Sequence, residues 1–165
     1  MLCLTKAIII AEPGRFLTSN IADLYVKITG KKVENGVIKY YVNNSVYGDF
    51  NCKIFDYTKL KFDILRKNCD ELVYNEKDDR WNDNKSSGLV PGTNSTIFGS
   101  TCDSIDMIAE NIKIPELDIG DYLKFKEMGA YTMAAASTFN GIPKPYKFYF
   151  GDSSAKVNLK RKNAP

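Results

Sequence analysis

The spacing of apolar positions changes near Lys32. Before it, residues 7–11 read AIIIA, a short apolar run closed by Glu12-Pro13-Gly14. This predicts a buried parallel strand whose C-terminal end opens into a loop. Leu17, Ile21, Leu24, Tyr25 and Ile28 then recur at helical spacing, and Gly30 supplies a stop before Lys31 and Lys32. A helix is predicted over 17–28. A buried strand followed by an amphipathic helix reads as the last β/α unit of a larger α/β domain.

After Lys32 the texture becomes short β-branched and aromatic segments at 37–42, 51–57, 71–75, 108–114, 122–125 and 146–150, separated by Gly, Pro, Asn and Asp. Each is predicted as a strand, and together they predict a mainly β sandwich or barrel. The division falls near 33–36, giving an N-terminal unit over 1–33 and a β-domain over 34–150. Residues 75–95 are polar and punctuated by Gly and Pro, which predicts a long exposed loop. The stretch 151–165 carries Lys160-Arg161-Lys162 without a hydrophobic period and reads as a solvated tail.

Composition narrows the chemistry. The chain has 165 residues, 44% of them hydrophobic, with 23 basic and 20 acidic residues for a formal charge of +3. That is enough to bury one core and too balanced to imply nucleic acid. The opening apolar run is too short for a membrane span, and a Pro-Gly pair stands where a signal peptide would show its cleavage site, so a soluble cytoplasmic chain is expected. Cys3, Cys52, Cys69 and Cys102 are dispersed and no histidine is present. No zinc site or disulfide framework is suggested, and every mechanism with a histidine base in this chain is excluded.

Four segments place polar or reactive residues in apolar or glycine-rich surroundings. They are AEPGRF at 11–16, YYVNNSVYGDFNC at 40–52, FGSTCDSID at 98–106 and MGAYTMAAASTFNG at 128–141. In this order they resemble the C-terminal part of the eukaryotic ornithine decarboxylase family, whose members read close to IAEPGRY, YYVNDGVYGSFNC, GPTCDGLD and MGAYTVAAASTFNG. The resemblance spans about residues 8–150. It implies a mainly β chain, a C-terminal Greek-key β-barrel or sandwich domain preceded by the last strand and helix of a TIM-like barrel that binds pyridoxal 5'-phosphate (PLP). It further implies a head-to-tail homodimer, or pairing with a chain that carries the PLP barrel, with active sites shared across the interface.

The implied activity is decarboxylation of L-ornithine to putrescine in polyamine synthesis. Glu12 matches the carboxylate that keeps the cofactor's pyridine ring protonated. Gly14, Arg15 and Tyr131 match the phosphate site. Cys102 matches the cysteine that protonates the decarboxylated carbon. Asp103 matches the acid that receives the substrate's distal ammonium, and Phe139 a residue lining that pocket. Lys32, Asp106 and Gly129 match dimer-interface positions. Two departures bear on function. Asn44 stands where the family carries a second aspartate for the ammonium, which removes one negative charge, and Phe98 and Ser100 replace the tryptophan and proline around the cysteine. The lysine that binds PLP covalently matches no lysine of this chain, so the chain alone is expected to be inactive. An antizyme-inhibitor-like protein that binds antizyme instead of catalysing, or a decarboxylase of another basic amino acid, are the alternative readings.

Overall fold

A computed structural model of the chain describes residues 8–68, 71–75, 80–83 and 89–151. Cys3, Cys69 and the tail after Gly151 lie outside the described residues. Among the described residues nine strands form one sheet: β1 (Leu24–Glu34), β2 (Val37–Val42), β3 (Phe62–Leu65), β4 (Glu71–Asn75), β5 (Arg80–Asp83), β6 (Leu89–Val90), β7 (Thr93–Phe98), β8 (Met107–Ile114) and β9 (Tyr122–Phe125). Their order across the sheet is β6-β5-β4-β3-β9-β1-β2-β7-β8. Two short helices, α1 (Arg15–Thr18) and α2 (Asn51–Phe55), complete the regular structure with single 3₁₀ turns at Ser19–Ile21 and Phe139–Gly141. The chain is mainly β, as the sequence predicts.

The helix predicted over 17–28 does not form. Only Arg15–Ile21 is helical, and β1 begins at Leu24. Leu24, Val26 and Ile28 are buried while Tyr25, Lys27 and Thr29 between them are exposed, which is a period of two. Leu17 and Ile21, which completed the helical spacing, are 58% and 71% exposed. Burial of Val26 decides between the two periods, because that residue lies off the helical stripe. β1 then pairs on both sides, with β2 and with β9, and so belongs to the sheet. Its turn into β2 is Asn35-Gly36, both at positive φ (52° and 78°), the conformation a two-residue hairpin needs.

Other expectations are also corrected. Ile8, Ile9 and Ile10 lie outside any strand and are exposed. The segment 51–57, expected as a strand, is α2. The amides of Phe50 and Asn51 donate to the carbonyls of Ser45 and Gly48, so the chain is already coiling when it reaches Asn51, and burial of Phe50 and Cys52 holds the turn. The stretch expected as one polar loop contains β5 and β6, and 146–150 carries no strand.

The core lies inside the curl of the sheet, where Val26, Ile28, Tyr40, Phe50, Ile97 and Phe125 are at most 1% exposed. Phe50 meets Phe125 edge to face at 4.7 Å between ring centroids. Each such side chain contributes about 1.5–3 kcal/mol by leaving water. The Tyr40 hydroxyl accepts the Leu117 amide at 2.9 Å, which satisfies its polar end inside the core. The curl brings β5 to β8, where the Trp81 indole Nε1 donates to the Lys113 carbonyl at 3.1 Å.

Candidate active-site face

Sheet topology gathers the four sequence motifs at one end. β2 and β7 are parallel, with Tyr41 opposite Phe98, so the loops leaving their C-terminal ends, at 43–50 and 99–106, lie side by side. β9 is antiparallel to β1, with Leu24 opposite Phe125, so the segment entering β1 adjoins the loop leaving β9. The Met128 amide donates to the Ala22 carbonyl and the Gly129 amide to the Ser19 carbonyl, fixing that junction. Asn51 Nδ2 ties the 43–50 loop to the loop after β9 through the Thr132 carbonyl at 2.8 Å.

One cluster on this face is Gly14, Arg15, Asp56 and Tyr131. The Arg15 guanidinium lies 5.7 Å from the centroid of the Tyr131 ring and pairs with Asp56 at 2.6 Å. A Cβ at Gly14 would stand 2.7 Å from the Tyr131 hydroxyl, so a larger residue would have to displace that side chain. A guanidinium and a phenol side by side form a donor set that fits a phosphate. Glu12 is exposed in the irregular segment just before it.

A second cluster is Tyr47, Asp103 and Phe139. The Tyr47 hydroxyl donates to Asp103 Oδ2 at 2.5 Å, and the Ile105 amide donates to Oδ1 at 3.1 Å. The Tyr47 bond and then the Ile105 amide hold the Asp103 carboxyl below its ordinary range, and the same bond pushes the Tyr47 phenol up. The Phe139 ring packs against Tyr47 at 4.2 Å between centroids, tilted by 32°, and Ser137 donates from both its amide and its hydroxyl to the Tyr47 carbonyl. A fixed carboxylate beside two aromatic rings suits an alkyl ammonium or guanidinium. Cys102, next to Asp103, is exposed and carries a free thiol.

Four further predicted residues bond or pack within the chain. Asn44 is buried and turned into the protein, donating from Nδ2 to Asp49 Oδ2 at 2.9 Å and accepting the Ser45 and Asp49 amides. Its amide is thus engaged within the 43–50 loop, beside the buried carboxylate of Asp49. Asp106 is 1% exposed, and its carboxylate accepts from the Val46 amide, the Thr101 amide and the Thr101 hydroxyl. It locks the loops after β2 and β7 to each other. Gly129 packs on its own chain, where a Cβ would run into the Thr18 carbonyl. Lys32 is exposed and pairs with Glu34 at 2.8 Å.

Tyr47 and Asp56 belong to the face although sequence reasoning did not single them out. Tyr47 sits inside the second motif, so its neighbours were a signal. Asp56 lies within the stretch 51–57 that reads as a strand, at the end of the helix that forms there instead. Among the described residues no group of three or more potential metal ligands occurs, and no helix is long and apolar enough to cross a membrane.

A curled sheet bearing a phosphate-suited corner and a cation-suited corner on one face defines the class, and comparison with known proteins gives the family. Residues 16–129 match the model of the pyridoxal-dependent decarboxylase C-terminal sheet domain. Antizyme inhibitor 2 of Xenopus laevis is 42% identical over 146 residues, covering 81% of this chain and 28% of that protein. Ornithine decarboxylase of Cricetulus griseus is 37% identical over 154 residues, covering 86% and 30%. The crystal structure of the Paramecium bursaria Chlorella virus arginine decarboxylase bound to agmatine superimposes with a TM-score of 0.63 at 34% identity, covering 79% of this chain and 31% of that one. The chain belongs to the pyridoxal-dependent decarboxylase family, and it spans under a third of the length of these relatives.

Proposed function

We propose that this chain supplies the sheet-domain side of the active site of a cytoplasmic PLP-dependent decarboxylase, with L-ornithine as substrate and putrescine and carbon dioxide as products. The Tyr47–Asp103–Phe139 cluster beside Gly14, Arg15 and Tyr131 carries this reading, since it sets a cation acceptor and a phosphate donor set on one face. When bound, PLP withdraws electrons from the carbon that loses its carboxylate. The residues of this chain act around it. Arg15 and Tyr131 would donate to the phosphate, with Gly14 allowing its approach, and Glu12 would hold the proton of the ring nitrogen. Asp103 receives the distal ammonium of the substrate, a charge-assisted bond of about 1.5–3 kcal/mol. Phe139 lies against its carbon chain. The Cys102 thiol gives a proton to the carbon left by decarboxylation. Dimerisation, or pairing with a chain that carries the PLP lysine, completes the site.

The test uses a full-length ornithine decarboxylase whose own counterpart of Cys102 is replaced by alanine. This chain is added with PLP, and carbon dioxide release from carboxyl-labelled ornithine, lysine and arginine is recorded. We expect no release from the chain alone, restored release from the mixture with ornithine fastest, and no restoration by Cys102→Ala. The 42% identity to an antizyme inhibitor favours a second reading, in which the chain binds antizyme or a decarboxylase without catalysing. A mixture that stays silent, while the chain changes the response of intact decarboxylase to antizyme, would establish that reading instead.

A further inference from the structure

The 43–50 loop that carries Tyr47 closes on the side chain of Asn44. Asn44 Oδ1 accepts the amides of Ser45 at 2.7 Å and Asp49 at 3.1 Å, while Nδ2 donates to Asp49 Oδ2 at 2.9 Å. A Cβ at Gly48 would run into Asn44 Oδ1, so the loop is wound tightly round this amide. Ser45 Oγ accepts the Tyr47 and Gly48 amides, and the Asn44 carbonyl accepts the amide and hydroxyl of Ser100 from the neighbouring loop. From this frame the Tyr47 hydroxyl reaches out to Asp103 Oδ2 at 2.5 Å.

Stability alone does not account for Asp49. It is 2% exposed, and among the described residues Asn44 Nδ2 is the one side-chain or backbone donor to its carboxylate, with Oδ1 left unbonded. A buried carboxylate so sparsely bonded weakens a fold relative to an apolar side chain of similar size. Its use lies in orientation. A carboxamide fits the same space either way round, but a carboxylate accepts only from Nδ2, so Asp49 directs Oδ1 onto the two backbone amides. The family motif YYVNDGVYGSFNC has Asp and Ser where this chain has Asn44 and Asp49. A serine hydroxyl can donate to an aspartate as Asn44 donates to Asp49, so the two departures form one exchange of donor and acceptor. From this geometry we propose that Asp49 is a positioning residue of the cation-suited corner, fixing the Asn44 amide and through it the loop that brings Tyr47 to Asp103. That this corner takes a substrate rests on the decarboxylase reading, whereas the coupling of Asp49 to Asp103 does not.

Carbon-13 NMR of the aspartate-labelled 165-residue chain reads that coupling as the titration midpoint of Asp103, its signal identified by its loss in Asp103→Asn. Asp49→Ala is expected to raise the midpoint by about half or more of the shift that Tyr47→Phe causes. The sign is diagnostic, because removing a nearby negative charge would by itself lower it. Asp49→Asn keeps an acceptor for Nδ2, and Asn44→Asp/Asp49→Ser exchanges donor and acceptor without changing the charge. Both should stay within about a fifth of the Tyr47→Phe shift. In a Tyr47→Phe chain Asp49→Ala should add nothing further, since it acts through Tyr47. A midpoint that Asp49→Ala lowers or leaves unchanged, or a rise that persists in full in the Tyr47→Phe chain, would overturn the assignment. So would a rise in Asp49→Asn or in the exchanged pair that equals the rise in Asp49→Ala. Where far-ultraviolet circular dichroism shows that Asp49→Ala does not fold, Asp49→Leu, of nearly the same shape as aspartate, is held to the same outcomes.

Discussion

Asp103 has a donor on each carboxylate oxygen, Tyr47 on one and the Ile105 amide on the other, so it is held in one orientation before any ligand arrives. The direction of its titration follows from that geometry. Both bonds favour the ionised form, which lowers the pKa, and removing the stronger donor must raise it. Tyr47→Phe is therefore expected to move the Asp103 midpoint upward toward the ordinary aspartate range. Carbon-13 NMR of aspartate-labelled chain measures this, and an unchanged midpoint would show that the bond does not form in solution. Legibility at this scale was uneven. Arg15, Tyr131, Asp103 and Phe139 could be picked out because each sits in a motif. Asn44 also sits in one, yet its side chain turns inward to Asp49, and one sequence does not reveal the direction of a side chain. Asp56 could not be read at all, because only folding brings it to Arg15 across 41 positions.

The β1–β2 hairpin shows how pattern and turn chemistry act on an element. Asn35-Gly36 is a strong hairpin signal, and it outweighs the helical spacing of the residues before it. Two periods coexist in 17–28, and pairing with β2 and β9 selects the period of two. In α2 the outcome is the reverse, since local β propensity yields to the coiled loop that precedes it. The hairpin end carries Glu34 between Lys32 and Lys39, and bonds to these two lysines lower its carboxyl to about 2. A depressed carboxylate contributes stability that is fully present above the ordinary glutamate range and is lost as pH falls through about 2. Thermal unfolding measured from about pH 5 down to about pH 2 should therefore show a loss that Glu34→Gln lacks. The difference will be small, because the pair is exposed. Identical pH profiles for the two proteins would show that the lysines do not hold Glu34.

At the scale of the molecule, the curl depends on Trp81. Its ring packs against Phe62 and its nitrogen reaches β8, so it joins two parts of the sheet that are distant in strand order. Trp81→Ala is expected to lower stability by about 3–5 kcal/mol, the range for truncating a large buried aromatic. Urea unfolding measures it, and a loss below about 1 kcal/mol would mean that the sheet stays curled without this residue. The mainly β class was legible from repeated short segments, while the single curled sheet was not, because alternation along a strand does not name its neighbours.

The parallel pairing of β2 with β7 has a consequence for how the protein acquires its chemistry. Ile38 lies opposite Ser95, with β3 to β6 strung between them along the chain. A contact between positions so distant in sequence carries a large loop-closure cost, and topologies rich in such contacts fold slowly. The β1–β2 hairpin can form early from neighbours alone, but the loops bearing Tyr47 and Asp103 meet only once this long-range pair has closed. A newly made chain would thus have its hairpin well before it has anywhere to place a cation.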